Sequence, residues 1–220
     1  MKLIEKLTKL LQLDDEAKIN VLPNMMFKTV VSYTTRPMRN YETDGKEHWF
    51  VDDGKVLSEI KAGNIVAYTE IGPYKYYVDA ASIDDPLNNL YIIDPKGIKY
   101  LLSHYHGDRK FIIVYINTAT RIRNKRAKSR PGYDKNIYEK RCQDENQQFI
   151  QFMNEFDRYF ENPKVIDFVN INNNGDIRNS IDELKKVIIS HANNNIMYLV
   201  VGKTCSGKDS ICSELVEKGI

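Results

Sequence analysis

The stretch from Ile196 to Lys218 constrains the fold more than any other. Met197-Tyr198-Leu199-Val200-Val201 is a continuous apolar run, Gly202-Lys203-Thr204-Cys205-Ser206-Gly207-Lys208 fits G-x-x-x-x-G-K, and Lys208 to Lys218 has amphipathic helical spacing. An uninterrupted apolar strand is buried on both faces, which calls for a sheet covered by helices. A strand that passes through a glycine loop into a helix aims several backbone N–H groups, and the helix's positive end, at one point. Such a point seats a phosphate, and the lysine after the second glycine reaches the outer groups of an oligophosphate. At average glycine usage the bare pattern arises by chance in roughly one chain of this size in twenty. The flanking strand and helix set it apart from a ligand-free glycine turn.

The hydroxyl residue that usually follows the lysine is replaced by Asp209, with Ser210 next. Two ways of holding a magnesium ion stay open: the Ser210 hydroxyl directly, or the Asp209 carboxylate through water.

The rest of the chain alternates strand and helix signals, as in an α/β layered fold with a mostly parallel sheet. Val30-Val31-Ser32, His48 to Val51 and Ile65 to Tyr68 read as short strands of a small mixed β region. Leu90 to Asp94 reads as a buried strand ending in a carboxylate, and Phe111 to Ile116 as one covered on both faces. A basic segment runs from Arg121 to Arg130. A helical pattern spans about Asn136 to Phe160, Val165 to Val169 is a further strand, and Ile181 to Ile188 a further helix. The polar run Ser190 to Asn195 is a linker. Leu3, Leu7, Leu10 and Leu11 share one face of a short helix, expected to pack on this domain or on a second subunit.

Composition limits the function classes. The net charge is only +2, from 32 basic and 30 acidic residues, so affinity for phosphates has to come from local clusters. No apolar run nears the ~20 residues that span a bilayer, so no membrane partner is expected. Three cysteines, Cys142, Cys205 and Cys212, lack metal or redox spacing, and this sparse, odd count points to a reducing, cytoplasmic setting. His104 and His106 would share a face on a strand, but no cysteine or carboxylate completes a metal site.

A second motif is Ser32-Tyr33-Thr34-Thr35-Arg36-Pro37-Met38-Arg39, followed by Glu42, Asp44-Gly45-Lys46 and Trp49-Phe50-Val51. Two arginines three apart can grip one phosphate through several charge-assisted hydrogen bonds. This segment resembles the acceptor-binding segment of guanylate kinases. The resemblance continues through Tyr74-Lys75-Tyr76, through Ile92-Ile93-Asp94, and through Arg126, Arg130 and Arg141, which have the spacing of that family's lid arginines. It covers about residues 27–188 and 196–220.

The resemblance implies a P-loop NTPase-type α/β fold: a parallel sheet with flanking helices, a small mixed-β acceptor-binding subdomain and a helical lid. It also implies transfer of the γ-phosphoryl group of ATP, with Mg2+, to GMP, dGMP or a related monophosphate. On this reading Gly202 to Lys208, Asp209, Ser210 and Asn172 bind ATP. Ser32, Arg36, Arg39, His48, Glu70, Tyr76 and Asp94 bind the acceptor. Lys208, Arg126, Arg130 and Arg141 are catalytic, and Ser210, Asp209 and Asp94 are the metal candidates. The domain organisation is an extension over 1–26 and one domain over 27–220, with an acceptor region at 31–85, a lid at 120–142, a linker at 189–195 and the phosphate-loop segment at 196–220.

Three departures stand out. The phosphate loop precedes the acceptor segment in the family but follows it here, which is a circular permutation and places Ile220 near Phe27. If the linker instead sends the last segment into a second molecule, a swapped homodimer results. Ala67 stands where the family has a base-reading glutamate, with Glu70 the nearby substitute, and Val78 replaces a Ser/Thr, so weaker guanine preference is expected. His48 stands where the family has a tyrosine. Two other readings compete: a non-catalytic guanylate-kinase-like binding module, against which Lys208 and the three lid arginines speak, and a nucleic-acid-binding protein, which rests only on Arg121 to Arg130. The expected partners are small-molecule nucleotides.

Overall fold

The computed structural model describes residues 27–191 and 195–218. The expected N-terminal helix, the middle of the linker and Ile220 lie outside them.

Five parallel strands form the main sheet in the order β1 (Lys28–Thr29), β6 (Asn88–Ile92), β9 (Ile196–Val201), β7 (Lys110–Asn117), β8 (Val165–Asn172). The strand that follows all others in sequence therefore lies at the centre. Its alternation shows why it is apolar throughout. Met197, Leu199 and Val201 enter one core while Ile196, Tyr198 and Val200 enter the other. Phe111, Ile113 and Tyr115 of β7 divide from Ile112, Val114 and Ile116 in the same way. Helices α3 (Pro95–His104) and α5 (Lys135–Asn154) close the first core with Ile98, Leu101, Phe149 and Phe152. Helices α7 (Ile177–Ser190) and α8 (Lys208–Lys218) close the second with Ile181, Leu184, Ile188, Ile211, Cys212 and Leu215. Phe27 belongs to that same cluster, so the start of the described chain packs with the helix that follows the loop. β9 pairs with β6 and β7 of its own chain.

A second sheet has the order β3 (Trp49–Phe50), β2 (Tyr33–Thr34), β5 (Tyr74–Asp79), β4 (Ile65–Ile71). In chain order α1 (Asp53–Ala62) precedes β4 and α2 (Ala80–Asp84) follows β5, and after β7 come α4 (Thr120–Lys128) and α6 (Phe156–Tyr159). The guanidinium of Arg109 is buried at the foot of the main sheet. It donates to the carbonyls of Asp85 and Asn88, both at 2.8 Å, and of Ile196 at 3.2 Å, so it ties β9 to the turn before β6.

Several expected elements need correction. The strand expected at Val30 to Ser32 is instead the link between β1 and β2. The strand toward Asp94 stops at Ile92, and Asp94 is the N-cap of α3, its carboxylate accepting from Gly97 N–H at 2.7 Å. The single helix expected up to Phe160 breaks at Glu155 into α5 and α6. His104 ends α3, its ring stacked on Tyr100 one turn earlier, with centroids 3.8 Å apart. The pair is therefore not on a strand, and no three potential metal-ligating side chains cluster among the described residues.

Candidate active site

The loop between β9 and α8 owes its shape to two residues in the left-handed region, Cys205 at φ 63° and Gly207 at φ 95°. Gly202 is fixed by close approach: a Cβ there would lie 2.6 Å from Ser206 Oγ and 2.9 Å from the Ile116 carbonyl. Three donors converge on the Ser206 carbonyl: Thr118 Oγ1 at 2.9 Å, Asn173 Nδ2 at 2.7 Å and Arg126 Nη1 at 2.9 Å. Because the peptide is planar and trans, a tethered Ser206 carbonyl points the Gly207 N–H the opposite way. The first turn of α8 adds N–H groups with no partner inside the helix. The loop is thus braced from behind with its donors forward. Lys208 sits at its rim, its ammonium 3.7 Å from the Asp209 carboxylate.

The predicted lid arginines divide. Arg126 also donates to the Asn173 carbonyl at 3.1 Å, so it braces the loop, and burial lowers its pKa. The Arg130 guanidinium has no hydrogen-bond or ion-pair partner among the described residues. Arg141, on α5, donates through Nε to Glu145 at 3.1 Å. The sequence reading missed Thr118, Asn173 and Glu145. It favoured Asn172, whose exposed side chain accepts from the Asn174 N–H at 3.0 Å, whereas its neighbour Asn173 is fully buried behind the loop. Strand alternation at the end of β8 could have separated them.

In the second sheet Arg36 makes a bidentate pair with Glu42, both contacts at 2.9 Å, and its guanidinium lies 5.4 Å from the Phe50 ring centre. Glu42 also accepts from the Arg39 N–H at 2.8 Å, so one carboxylate orients both arginines. Burial works against the Glu42 charge, yet Arg36 and the Arg39 amide hold its carboxyl below the usual range. Ser32 Oγ lies 2.9 Å from His48 Nδ1, and the imidazole meets Tyr76 edge-on. Burial, then the Arg36 charge, lowers the His48 pKa, so His48 is neutral at pH 7 and acts as a hydrogen-bonding group.

Register links this grip to the main sheet. Thr34 pairs with Tyr76, Tyr76 pairs with Thr69, and Thr69 Oγ1 donates to Asp94 at 2.8 Å. Asp94 lies two residues beyond β6, the neighbour of the loop-bearing strand. Ala67 shares the Thr69 face and is fully buried, while Glu70 lies on the opposite face and accepts the Tyr68 hydroxyl at 2.6 Å. Glu70 and Asp94 are therefore not brought together.

Burial raises the Asp94 pKa and nearby Glu145 adds to the shift; the Gly97 N–H, Thr69 and Lys96 oppose it. A carboxyl whose folded pKa is raised contributes stability that is fully present below the unfolded value and is lost as pH rises through the folded value. Asp94→Asn cannot ionise. Its urea midpoint should therefore gain on that of the wild type between pH 3.5 and pH 7. A difference between the two that does not vary with pH would refute the assignment.

Both Asp94 oxygens already accept hydrogen bonds, which makes Asp94 a poor direct metal ligand. Asp209 and Ser210 are exposed at the start of α8. That donor set fits magnesium, which keeps most of its waters and takes one or two protein oxygens plus phosphates.

A parallel sheet whose central strand runs through a braced glycine loop into a helix N-terminus has the architecture of a P-loop fold. The guanylate kinase family model matches residues 16–191, and the chain belongs to the guanylate kinase family. The match stops before the loop itself. The chain is 34% identical over 99 residues to a guanylate kinase of Lactiplantibacillus plantarum, an alignment covering 45% of this chain and 40% of that protein. It is 30% identical over 102 residues to one of Salinibacter ruber, covering 44% and 52% respectively. The chain thus spans about half the length of the curated relatives it matches, or less. The crystal structure of guanylate kinase from Anaplasma phagocytophilum aligns over 80% of each chain at 17% identity with a TM-score of 0.49. No helix among the described residues is long and apolar enough to cross a membrane.

Proposed function

We propose that the protein is an ATP-dependent nucleoside monophosphate kinase that transfers the γ-phosphoryl group to GMP, dGMP or a related purine monophosphate. The observation that carries this reading is the braced loop at the centre of a sheet whose next strand leads, through Asp94 and Thr69, to the Arg36–Arg39 grip. Lys208 and the loop amides hold the donor phosphates. Arg36, Arg39 and the neutral His48 hold the acceptor phosphate. Arg130 and Arg141 meet the charge that spreads over the transferring oxygens. Magnesium, held near Asp209 or Ser210, supplies charge neutralisation on the donor phosphates when bound. Closure of the lid over residues 120–142 excludes water.

The site accounts for a transferase better than for a binding module, because Lys208 and Arg130 have no evident structural duty that would keep them in a scaffold. Base choice is relaxed, since Ala67 offers the guanine edge no acceptor and Glu70 faces away. A domain over 27–220, permuted so that the loop follows the acceptor segment, and a cytoplasmic setting complete the proposal.

The test is a coupled ADP-release assay with ATP and Mg2+ across ribo- and deoxymonophosphates. ADP should form in proportion to a purine acceptor; release independent of any acceptor would sink the kinase reading. In the same assay Arg36→Ala should raise the acceptor KM by roughly tenfold to a hundredfold, the worth of one or two charge-assisted hydrogen bonds. The ATP KM should stay within about threefold. Equal effects on both substrates would place Arg36 outside the acceptor grip.

A further inference from the structure

The face of α5 turned toward the phosphate loop carries a latch. Glu145 Oε2 accepts the Thr204 backbone N–H at 2.7 Å, and its Oε1 takes both the Thr204 hydroxyl and Arg141 Nε, the latter at 3.1 Å. One residue on, Asn146 Oδ1 accepts from Lys203 Nζ at 2.8 Å, and one turn further the Phe149 ring centre lies 5.7 Å from the same ammonium. Thr204 is buried, and the Glu145 side chain is only 17% exposed. A carboxylate seated on a backbone N–H and a hydroxyl of a phosphate loop, with a guanidinium behind it, presents two anionic oxygens as a phosphate would.

We propose that Glu145 is a built-in occupant of the phosphate loop, an autoinhibitory plug that a donor phosphate displaces, releasing Arg141 onto the substrate. The proposal rests on the reading of this loop as a nucleotide-phosphate site. One N–H cannot fully serve two anions, and a carboxylate left beside an oligophosphate repels it. Whatever free energy holds the plug is therefore subtracted from donor binding. Arg141 is bound to the plug itself, so expelling the carboxylate delivers the arginine in the same movement. Empty, the loop keeps its shape; filled, it gains a cation.

Two measurements on the full chain test this. In ligand-free protein the Thr204 amide, followed by NMR hydrogen exchange, should be protected in the wild type and exchange at least tenfold faster in Glu145→Ala. By calorimetry, ATP and inorganic tripolyphosphate should bind Glu145→Gln and Glu145→Ala about tenfold more tightly than the wild type, the worth of one charge-assisted hydrogen bond. Unchanged or weaker binding in both variants, with circular dichroism unaltered, overturns the plug. So does equal exchange of the Thr204 amide in all three proteins. If no protein binds either phosphate ligand while the exchange difference persists, the nucleotide reading fails, and Glu145 is a structural clasp, not a plug.

Discussion

Lys208→Ala is expected to lower kcat by on the order of 10²- to 10³-fold while leaving the fold intact. Among the described residues the ammonium at the mouth of the loop has no ion-pair partner except Asp209, at 3.7 Å, so removing its charge breaks one long pair. In the proposed reaction its role lies in the charge that develops on the transferred group, where a positioned cation acts at low dielectric and costs no reorganisation. The melting temperature should move by less than about 2 °C, because a long pair to an exposed carboxylate contributes little. ADP release measured with saturating acceptor checks the first claim and a thermal melt the second. A kcat within fivefold of wild type would remove Lys208 from the reaction. A large fall in melting temperature would show that the loss of rate came from the fold.

Gly207→Ala should have the second largest effect, by a different route. A Cβ at residue 207 would lie 2.4 Å from Asn173 Nδ2 and 3.2 Å from Arg126 Nη1, on a backbone at φ 95°. Those are two of the three donors on the Ser206 carbonyl. Relief requires them to retreat, and the peptide that aims the Gly207 N–H then loses its tether. ATP affinity should fall by at least roughly a hundredfold, as several donors are misaimed together. Stability should fall by about 1–3 kcal/mol, the cost of a side chain in that backbone region. Calorimetry with ATP and a urea titration read the two effects. Binding within threefold of wild type would show that the brace behind the loop does not matter to its front.

Much of this was legible in the sequence because local pattern and global role coincide. The apolar run of β9, the glycine spacing and the helix after it announce one another, and β7 reads as doubly covered from Phe111 to Ile116 alone. The short helices were less visible. Only Val56 of α1 is buried, so it has no apolar stripe to detect. Its signals were at its ends, Asp52 capping the Lys55 N–H and Gly63 turning left-handed after the last turn. Asp94 illustrates a different limit. A carboxylate after a strand reads equally as a site residue or as the cap of a helix that opens with proline, and here it is a cap that also meets Thr69. The loop's brace was unreadable in principle. Thr118, Asn173 and Ser206 are 55 to 88 residues apart in two of their three pairings, and only the folded sheet shows that they meet. Glu145 sat inside a helix as one charge among many.

The position of β9 has a consequence for how the molecule comes into being. During synthesis β6 and β7 emerge with a strand-wide gap between them, each with a row of unpaired peptide groups facing the place that only β9 fills. Neither half of the core can close around that gap, so the nascent chain carries two open sheet edges until β9 has emerged. Folding then depends on pairings that reach across more than a hundred residues, as between Tyr198 and Leu90, which slows the search relative to chains that pair locally. The phosphate loop arrives with that strand. A form of this protein in which β9 has not yet paired would thus lack the completed core and the phosphate loop together, so partial folding could not leave the loop in place on its own.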